Sequence, residues 1–145
     1  MTISIRSASV DDILSIKRTL SQYILETELV DENIDQFIVA DDGRMTVGCA
    51  YLDTSQQIIE LRSLAVLPGW KNKGIGRMLF EYLKARAESM TEWLYVRTTS
   101  RGFFEKMGFT VLDYSQKPVI WQDCAGCDKM DVCLQVPMVL ELRSC

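Results

Sequence analysis

The sequence predicts an α/β fold of the α+β-like type, in which a mixed, mostly antiparallel sheet of six to seven strands has helices on both faces. Two apolar runs, 37–40 and 45–52, flank Asp41-Asp42-Gly43-Arg44, whose Asp-Gly pair is a strong turn signal, so we expect an antiparallel hairpin. The stretch 58–96 then follows the pattern strand, helix, strand, which predicts one right-handed β-α-β crossover. In such a sheet, ligands bind at the carboxyl end of the crossover strand.

Upstream of the hairpin, the pattern predicts one strand and one helix. Ile3 and Ile5 alternate with polar residues, which is typical of a strand. Ser9 precedes two aspartates, as an N-cap precedes an acidic first turn, and an acidic loop is expected at 26–33. The apolar stripe of the helix would consist of Val10, Ile13, Leu14, Ile16, Leu20 and Ile24.

From the crossover onward, strand and helix patterns follow each other closely. The apolar run 58–67 predicts a strand that Pro68-Gly69 ends, and helical periodicity extends from Ile75 to Glu88. The later predicted elements are a strand at 93–96, a short helix from Ser100 to Met107 with Gly108 at its C′ position, and strands at 109–112 and 136–142.

The composition limits the classes of function that the chain can have. A length of 145 residues with 48% apolar residues predicts one globular domain, residues 1–145, with a sizeable core. A net charge of −4 without a basic run argues against nucleic acid as the partner, and no apolar stretch approaches the ~18 residues of a membrane span. The polar N-terminal sequence is unlike a signal peptide, so we expect a cytoplasmic protein. Since histidine is absent, a histidine-based triad or metal ligand is excluded.

The loop Lys71-Asn72-Lys73-Gly74-Ile75-Gly76 is the strongest functional signal. It lies between an apolar strand and an amphipathic helix, so several backbone N–H groups should meet at the positive end of the helix dipole, as a phosphate site requires. It is neither a P-loop, because no GKS or GKT follows, nor a dinucleotide-binding fingerprint, because the third glycine is missing. The alternative interpretation is a surface turn with two glycines at a helix start.

Three signals in this order resemble the GNAT N-acetyltransferase superfamily. They are Glu60 in the strand, Lys71-x-x-Gly74-x-Gly76 in the loop, and the phrase Gly102 to Phe109 (GFFEKMGF), and the resemblance spans roughly residues 3 to 112. It implies a GNAT fold and acetyl-CoA as co-substrate. The residues that it implies for cofactor binding are Leu64, Ala65, Val66, Lys71, Asn72, Lys73, Gly74, Ile75, Gly76, Arg77 and Phe104.

The resemblance also implies a role for Glu60. In several members of the family a glutamate at this interval before the loop takes a proton from the incoming amine, directly or through water. The alternative is a structural carboxylate paired with Arg62, which shares its strand face. Family members often carry tyrosine as general acid where this chain has Phe104, so Tyr95, Tyr114, Ser100, a thiol or water would have to supply that proton.

The segment 93–109 resembles, more loosely, the amino-acid acetyltransferases of the N-acetylglutamate synthase type. This implies direct acetyl transfer to a small primary amine, an amino acid, whose carboxylate Arg62 and Arg97 could bind bidentately. The two arginines could instead be structural. Acetylation of a protein N-terminus or lysine, and a non-catalytic acyl-CoA sensor, remain alternatives, and a homodimer is left open.

Three of the five cysteines lie in 113–135, a predicted insertion before the last strand. Cys124-x-x-Cys127-x5-Cys133 is only half of a zinc motif, and a fourth ligand would have to come from Cys49, Cys145, Asp123 or Asp128. We therefore predict no metal site and expect reduced structural thiols or redox-responsive thiols, with zinc as the alternative. The resemblance implies that this insertion, which precedes the last strand, forms the wall of the acceptor pocket. A role in acceptor specificity, together with a partner subunit, is a hypothesis.

Overall fold

The computed structural model describes residues 2–129 and 132–142, and its centre is one seven-stranded sheet. Its order is β1-β2-β3-β4-β5-β7-β6, and every neighbouring pair is antiparallel except β4 and β5, which confirms the mixed sheet with one crossover. The strands are β1 (Ser4–Ser7), β2 (Phe37–Asp41), β3 (Thr46–Asp53), β4 (Ile59–Val66), β5 (Trp93–Thr98), β6 (Thr110–Val111) and β7 (Val136–Glu141).

Five α-helices accompany the sheet in the described part of the chain. They are α1 (Ile13–Ser21), α2 (Ile75–Glu88), α3 (Arg101–Lys106), α4 (Lys117–Ile120) and α5 (Gln122–Ala125). The bounds of α2 are those that the sequence predicts, and α3 begins after Ser100 and ends before Gly108, which has a φ of +102°. None of the described helices is long and apolar enough to cross a membrane.

Two apolar layers pack the helices against opposite faces of the sheet. Along β2, Phe37 and Val39 lie in one layer with α1, whereas Ile38 and Ala40 lie in the other with α2, as the alternation of strand side chains requires. The larger layer takes the buried side of α2, namely Ile75, Leu79, Phe80, Leu83 and Ala87. Helices on both faces are thereby confirmed.

The predicted apolar stripe of the first helix is only half correct. Ile16 and Leu20 are buried, but Val10, Leu14 and Ile24 are 70%, 76% and 96% exposed. Residues 10–12 form a 3₁₀ turn instead of the first α-helical turn, so Val10 does not keep the α-helical period. The helix ends at Ser21, and Ile24 has a φ of +55°, which lies outside the helical region.

The pairing of β4 with β5 is short, and this opens the sheet. Only Ile59 with Leu94 and Glu60 with Tyr95 are in parallel register, whereas β5 pairs with β7 along its whole length, from Trp93 to Thr98. Beyond Glu60 the two parallel strands therefore diverge, and the edge of β4 that faces β5 is left without a strand partner in the described structure. The gap lies at the carboxyl ends of both strands, where the sequence predicts the ligand site.

Candidate active site

A cavity of about 670 Å³ fills the gap between β4 and β5. The C-terminal halves of both strands form two of its walls, the loop 70–74 and the first turn of α2 form its base, and α3 closes one side through Phe103 and Phe104. Every residue that the resemblance implies for cofactor binding lines this cavity except Lys73, which is exposed outside it. The predicted role of Lys73 in cofactor binding stays a prediction.

The glycine loop contains two residues with left-handed backbone conformation. Gly74 is the N-cap of α2 with a φ of +80°, and Asn72 has a φ of +63°, both in the left-handed region that glycine and asparagine tolerate best. The first intrahelical bond there runs from the Met78 N–H to the Gly74 oxygen, at 3.1 Å. The earlier amides of a helix have no partner within it, so those of residues 75–77 can accept an anion as a ligand at the cavity wall.

The main chain of β4 continues this polar lining. Leu64, Ala65 and Val66 line the cavity on the strand edge that β5 has left. Tyr23, at the end of the α1 segment, donates its hydroxyl hydrogen bond to the Val66 oxygen, and the Lys71 ammonium lies 4.7 Å from the centre of the Tyr23 ring. One wall therefore combines main-chain polar groups, a lysine and helix amides, which together suit a long, polyanionic ligand.

Glu60 lies behind Arg97 and does not line the cavity. The Arg97 Nε donates to Oε2 of Glu60 at 2.8 Å and its Nη2 donates to Oε1 at 3.0 Å, while the Gln56 amide donates to Oε1 at 2.9 Å. Both carboxylate oxygens thus already accept hydrogen bonds. A base role for Glu60 stays a prediction, and it would require water to connect Glu60 to the amine.

The alternative pairing of Glu60 with Arg62 is not present. Arg62 instead donates to Asp53 at 2.9 Å and to Glu26 at 2.6 Å. Glu60 pairs with Arg97 because parallel neighbours β4 and β5 bring these two side chains together next to the last shared register positions. Both arginines line the cavity, as predicted for substrate binding, but each already has a buried carboxylate partner.

Asp123 joins the two arginines from the outer side. Its oxygens both lie 2.9 Å from Nη1 of Arg97, and Nη2 of Arg62 lies 3.9 Å away. Arg97 also lies 4.9 Å from the centre of the buried Trp121 ring. Burial alone would lower the pKa of Arg97, but Glu60 and Asp123 raise it above its usual value, so this cation is permanent. Asp123 is about half exposed, unlike Asp53 and Glu60.

Comparison with known proteins identifies this architecture. The model of an acetyltransferase (GNAT) domain matches residues 33–111, more than half of the chain. The chain belongs to the GNAT acetyltransferase family. An uncharacterized N-acetyltransferase of Chlorobaculum tepidum is 35% identical over 148 residues, which cover 95% of this chain and 96% of that protein.

Other proteins similar to this GNAT acetyltransferase include larger proteins and one of similar length. An amino-acid acetyltransferase of Salmonella arizonae is 32% identical over 125 residues, which cover 79% of this chain but only 28% of that relative. N-acetylglutamate synthase of Neisseria gonorrhoeae, complexed with coenzyme A and N-acetyl-glutamate, has the same fold with a TM-score of 0.79 at 22% identity, covering 99% of this chain and 36% of that chain. A Mycobacterium tuberculosis protein in complex with CoA superimposes with a TM-score of 0.76 at 21% identity, over 97% of this chain and 99% of that chain.

The candidates for the general acid of this acetyltransferase lie at different distances from the cavity. Ser100 lines it and is exposed, so its hydroxyl can meet a ligand. The rings of Tyr95 and Trp121 pack edge to face, with 5.9 Å between their centres. Neither Tyr95 nor Tyr114 lines the cavity. Phe104 is buried against Phe103 and Phe109, so its ring contributes packing where the family often has a hydroxyl.

Sequence reasoning missed several residues of the site. Thr98 and Thr99 line the cavity directly after the predicted strand 93–96, and their position at the carboxyl end of a crossover strand was a usable signal. Tyr23 and Gln135 come from distant parts of the chain, and no local pattern marks them. Trp70 lies in the short 3₁₀ turn that leads into the glycine loop.

The cysteines do not form a cluster in the described structure. Cys49 is buried in the core, which raises the pKa of its thiol to about 12. Cys124 is buried and accepts from Arg97, Cys127 is exposed, and Cys133 accepts from Lys117. Within 2–129 and 132–142 no three candidate ligands approach each other closely enough to hold a metal ion. Cys145 lies outside the described residues.

Proposed function

We propose that this acetyltransferase moves the acetyl group of acetyl-CoA to the primary amine of a small acceptor that also carries a carboxylate, as an amino acid does. The observation that carries the proposal is one cavity with helix amides and Lys71 at one end and two arginines at the other. The amino-acid acetyltransferase and N-acetylglutamate synthase among the relatives support the same acceptor class.

The glycine loop indicates where the cofactor would bind. The diphosphate of coenzyme A would lie on the amides of residues 75–77, with Lys71 beside it, and the pantetheine arm would follow the open edge of β4 past Leu64–Val66. Phe103 and Phe104 would exclude water from the thioester. The amine would then attack the thioester directly, without an acyl-enzyme, because binding both reactants in one cavity supplies the orientation that lowers the barrier.

The acceptor end requires an exchange of carboxylates. Glu60 and Asp53 already neutralise the two arginines, so a substrate carboxylate can be added only if another carboxylate leaves. Asp123 is the exposed member of this group, and it contacts the outer Nη1 of Arg97 with both oxygens. Replacing Asp123 with the carboxylate of the acceptor keeps the net charge unchanged, so the free-energy cost of the exchange is small.

Glu60 would then position Arg97 for the acceptor. Its two hydrogen bonds fix the plane of the guanidinium, and the Gln56 amide fixes Glu60 itself. The predicted base role of Glu60 is a separate proposal, which the pH profile of a Glu60 variant tests.

We further propose that residues 1–145 act as one domain in the cytoplasm, and that 113–135 form the outer acceptor wall. Trp121 and Asp123 support the second point, because both contact the Arg97 guanidinium. The oligomeric state stays open.

The test measures free thiol released from acetyl-CoA with a panel of amino acids, their matched α-amides and unrelated peptides. We expect release with at least one amino acid and at least tenfold lower kcat/KM for its amide, since a charge-assisted bidentate contact is lost. Asp123→Asn should lower KM for the amino acid, because the competing carboxylate is gone, while Asp128→Asn in the same segment should not. Release with peptides alone would indicate a protein acetyltransferase, and release with no acceptor despite coenzyme A binding would indicate a sensor.

A further inference from the structure

Lys117 is the first residue of α4, and its side chain is completely buried. Its ammonium donates to Sγ of Cys133 at 3.1 Å and to the main-chain oxygen of Gln135 at 3.0 Å, and it lies 5.3 Å from the centre of the Tyr114 ring. Lysine is almost never fully buried unless it is paired, because an ammonium loses several kcal/mol of hydration on burial. Among residues 2–129 and 132–142, no carboxylate forms an ion pair with this ammonium.

The charge of Lys117 therefore needs a different partner. A neutral thiol offers a weak acceptor and no counter-charge, whereas a thiolate offers both. We propose that Cys133 is a thiolate paired with the buried Lys117 ammonium, and that this pair makes Cys133 a site of covalent modification by hydroperoxides.

The groups that face Cys133 favour the thiolate. Partial burial raises the pKa of the thiol, but the hydrogen bonds from the Gln135 backbone and from Lys117, with the charges of Lys117 and Arg97, outweigh burial and hold the pKa below its usual range. The Cys133 residue is also partly exposed, unlike Cys49 and Cys124.

The other described cysteines lack this combination of cation and access. Cys49 is buried in the core and Cys124 is 7% exposed. Cys127 is exposed, but its sulfur accepts the main-chain N–H of Lys129 at 3.4 Å, which is a neutral donor. Cys127 is therefore a natural internal reference for Cys133.

The reaction is a two-electron oxidation. The Cys133 thiolate attacks one oxygen of the peroxide, the O–O bond breaks, and an S–O bond forms, giving a sulfenic acid. Sulfur loses two electrons to the peroxide, whose second oxygen leaves as hydroxide or alkoxide and takes a proton from solvent.

The oxidation of Cys133 would also affect the cavity. A sulfenic acid is neutral, so the buried ammonium of Lys117 loses its counter-charge. The second hydrogen bond of Lys117 goes to Gln135, which lines the cavity. Oxidation of Cys133 would in this way loosen the wall that 113–135 supply.

The test pulses the full-length protein with iodoacetamide between pH 5 and 9 and measures the alkylation of each cysteine by peptide mass spectrometry. The midpoint of each pH profile reports the thiolate fraction independently of access. We expect the midpoint of Cys133 to lie about one pH unit or more below that of Cys127. At pH 7, dilute hydrogen peroxide with dimedone as trap should label Cys133 first. Equal midpoints, or dimedone label that favours Cys127, would overturn the proposal.

Variants at position 117 test whether the charge of Lys117, and not the local fold, lowers the midpoint of Cys133. Lys117→Met, which keeps the apolar length, should raise the midpoint of Cys133 by about one pH unit, and Lys117→Arg should keep it low. Lys129→Met is the matched control and should leave Cys133 unchanged. An unchanged midpoint in Lys117→Met contradicts the ion pair. Should Lys117→Met not fold, the comparison of Cys133 with Cys127 in the wild-type protein decides alone.

Discussion

Arg97 is the residue on which the proposed acceptor end of this site depends. It contacts Glu60 on one side, Asp123 on the other and the Trp121 ring below, so three parts of the chain meet at one guanidinium. The plane of the guanidinium is fixed, because Nε and Nη2 donate to the two oxygens of the buried Glu60. A rigid guanidinium at the wall of a cavity can recognise a carboxylate with little loss of conformational entropy.

Glu60→Gln tests whether Glu60 positions Arg97 or removes a proton. The amide keeps the shape but loses the charge and one acceptor, so Arg97 should become mobile. We expect KM for the amino acid to rise about tenfold while the dissociation constant of coenzyme A is unchanged, because Glu60 is remote from the glycine loop. Steady-state kinetics from pH 6 to 9, with calorimetry for coenzyme A, measure both quantities.

Glu92→Gln is the control for this variant, since Glu92 is exposed next to β5. A different result would support the base role: kcat lower by about 10² or more, with the acidic limb of the pH profile abolished and KM unchanged. That pattern would contradict a purely positioning role for Glu60.

At the scale of elements, local patterns predicted α2 and its glycine loop, because both depend on neighbouring residues. The bounds of α2 follow from its own periodicity, and the position of the loop follows from two glycines at a helix start. The divergence of β4 and β5 could not be predicted in this way. It depends on β5 pairing fully with β7, more than 35 residues later in the chain.

Gly74→Ala tests the loop as an element. Nothing lies within 4 Å of a Cβ added at this position, so the cost comes from the φ of +80° alone and should be about 1 kcal/mol of unfolding free energy. Relaxation of that strain would turn the first amides of α2 away from the cavity, so affinity for coenzyme A should fall about tenfold. Urea unfolding and calorimetry measure the two effects.

Gly69→Ala is a matched control in the same loop region. It also has open space around an added Cβ, but its φ is not positive. We expect neither stability nor coenzyme A affinity to change by more than a few tenths of a kcal/mol. If Gly69→Ala and Gly74→Ala weaken coenzyme A binding equally, the left-handed N-cap is not what forms the anion site.

At the scale of the whole molecule, the features that could not be predicted from the sequence are contacts between side chains that lie far apart in the chain. The fold class was predictable, and the cavity lies where the sequence predicts a ligand site, because a strand, a glycine loop and a helix lie together in 58–88. The partners of Arg62, Arg97 and Lys117 come from segments up to 37 residues away, and one carboxylate has no local pattern that distinguishes it from another.

The N-terminal strand is tied to the rest of the molecule by Arg6, and this makes stability depend on pH. Arg6 donates to Asp12 with two nitrogens, at 2.9 and 3.0 Å, and to Asp41 at 3.0 Å. The hydrogen bonds from Arg6 are the largest cause that holds the pKa of Asp12 below its usual value. For Asp53, burial raises the pKa, but the hydrogen bonds from Ser55 and Arg62 outweigh burial and lower the pKa overall.

Because these pKa values are lower in the folded protein than the ~3.9 of an unfolded aspartate, the folded state binds fewer protons there. The stabilisation is complete above about pH 5 and is lost as the pH falls through the folded pKa values. Asp12→Asn should lower the unfolding free energy at pH 7 by about 1 kcal/mol, a modest value because Arg6 is 41% exposed and water screens the pair. Urea unfolding at pH 7, 5, 4 and 3 should show this difference from wild type shrinking toward pH 3. The exposed neighbour Asp11, as Asp11→Asn, should follow the wild-type curve, and a deficit in Asp12→Asn that stays constant with pH would show that its cause is packing and not the charge of Asp12.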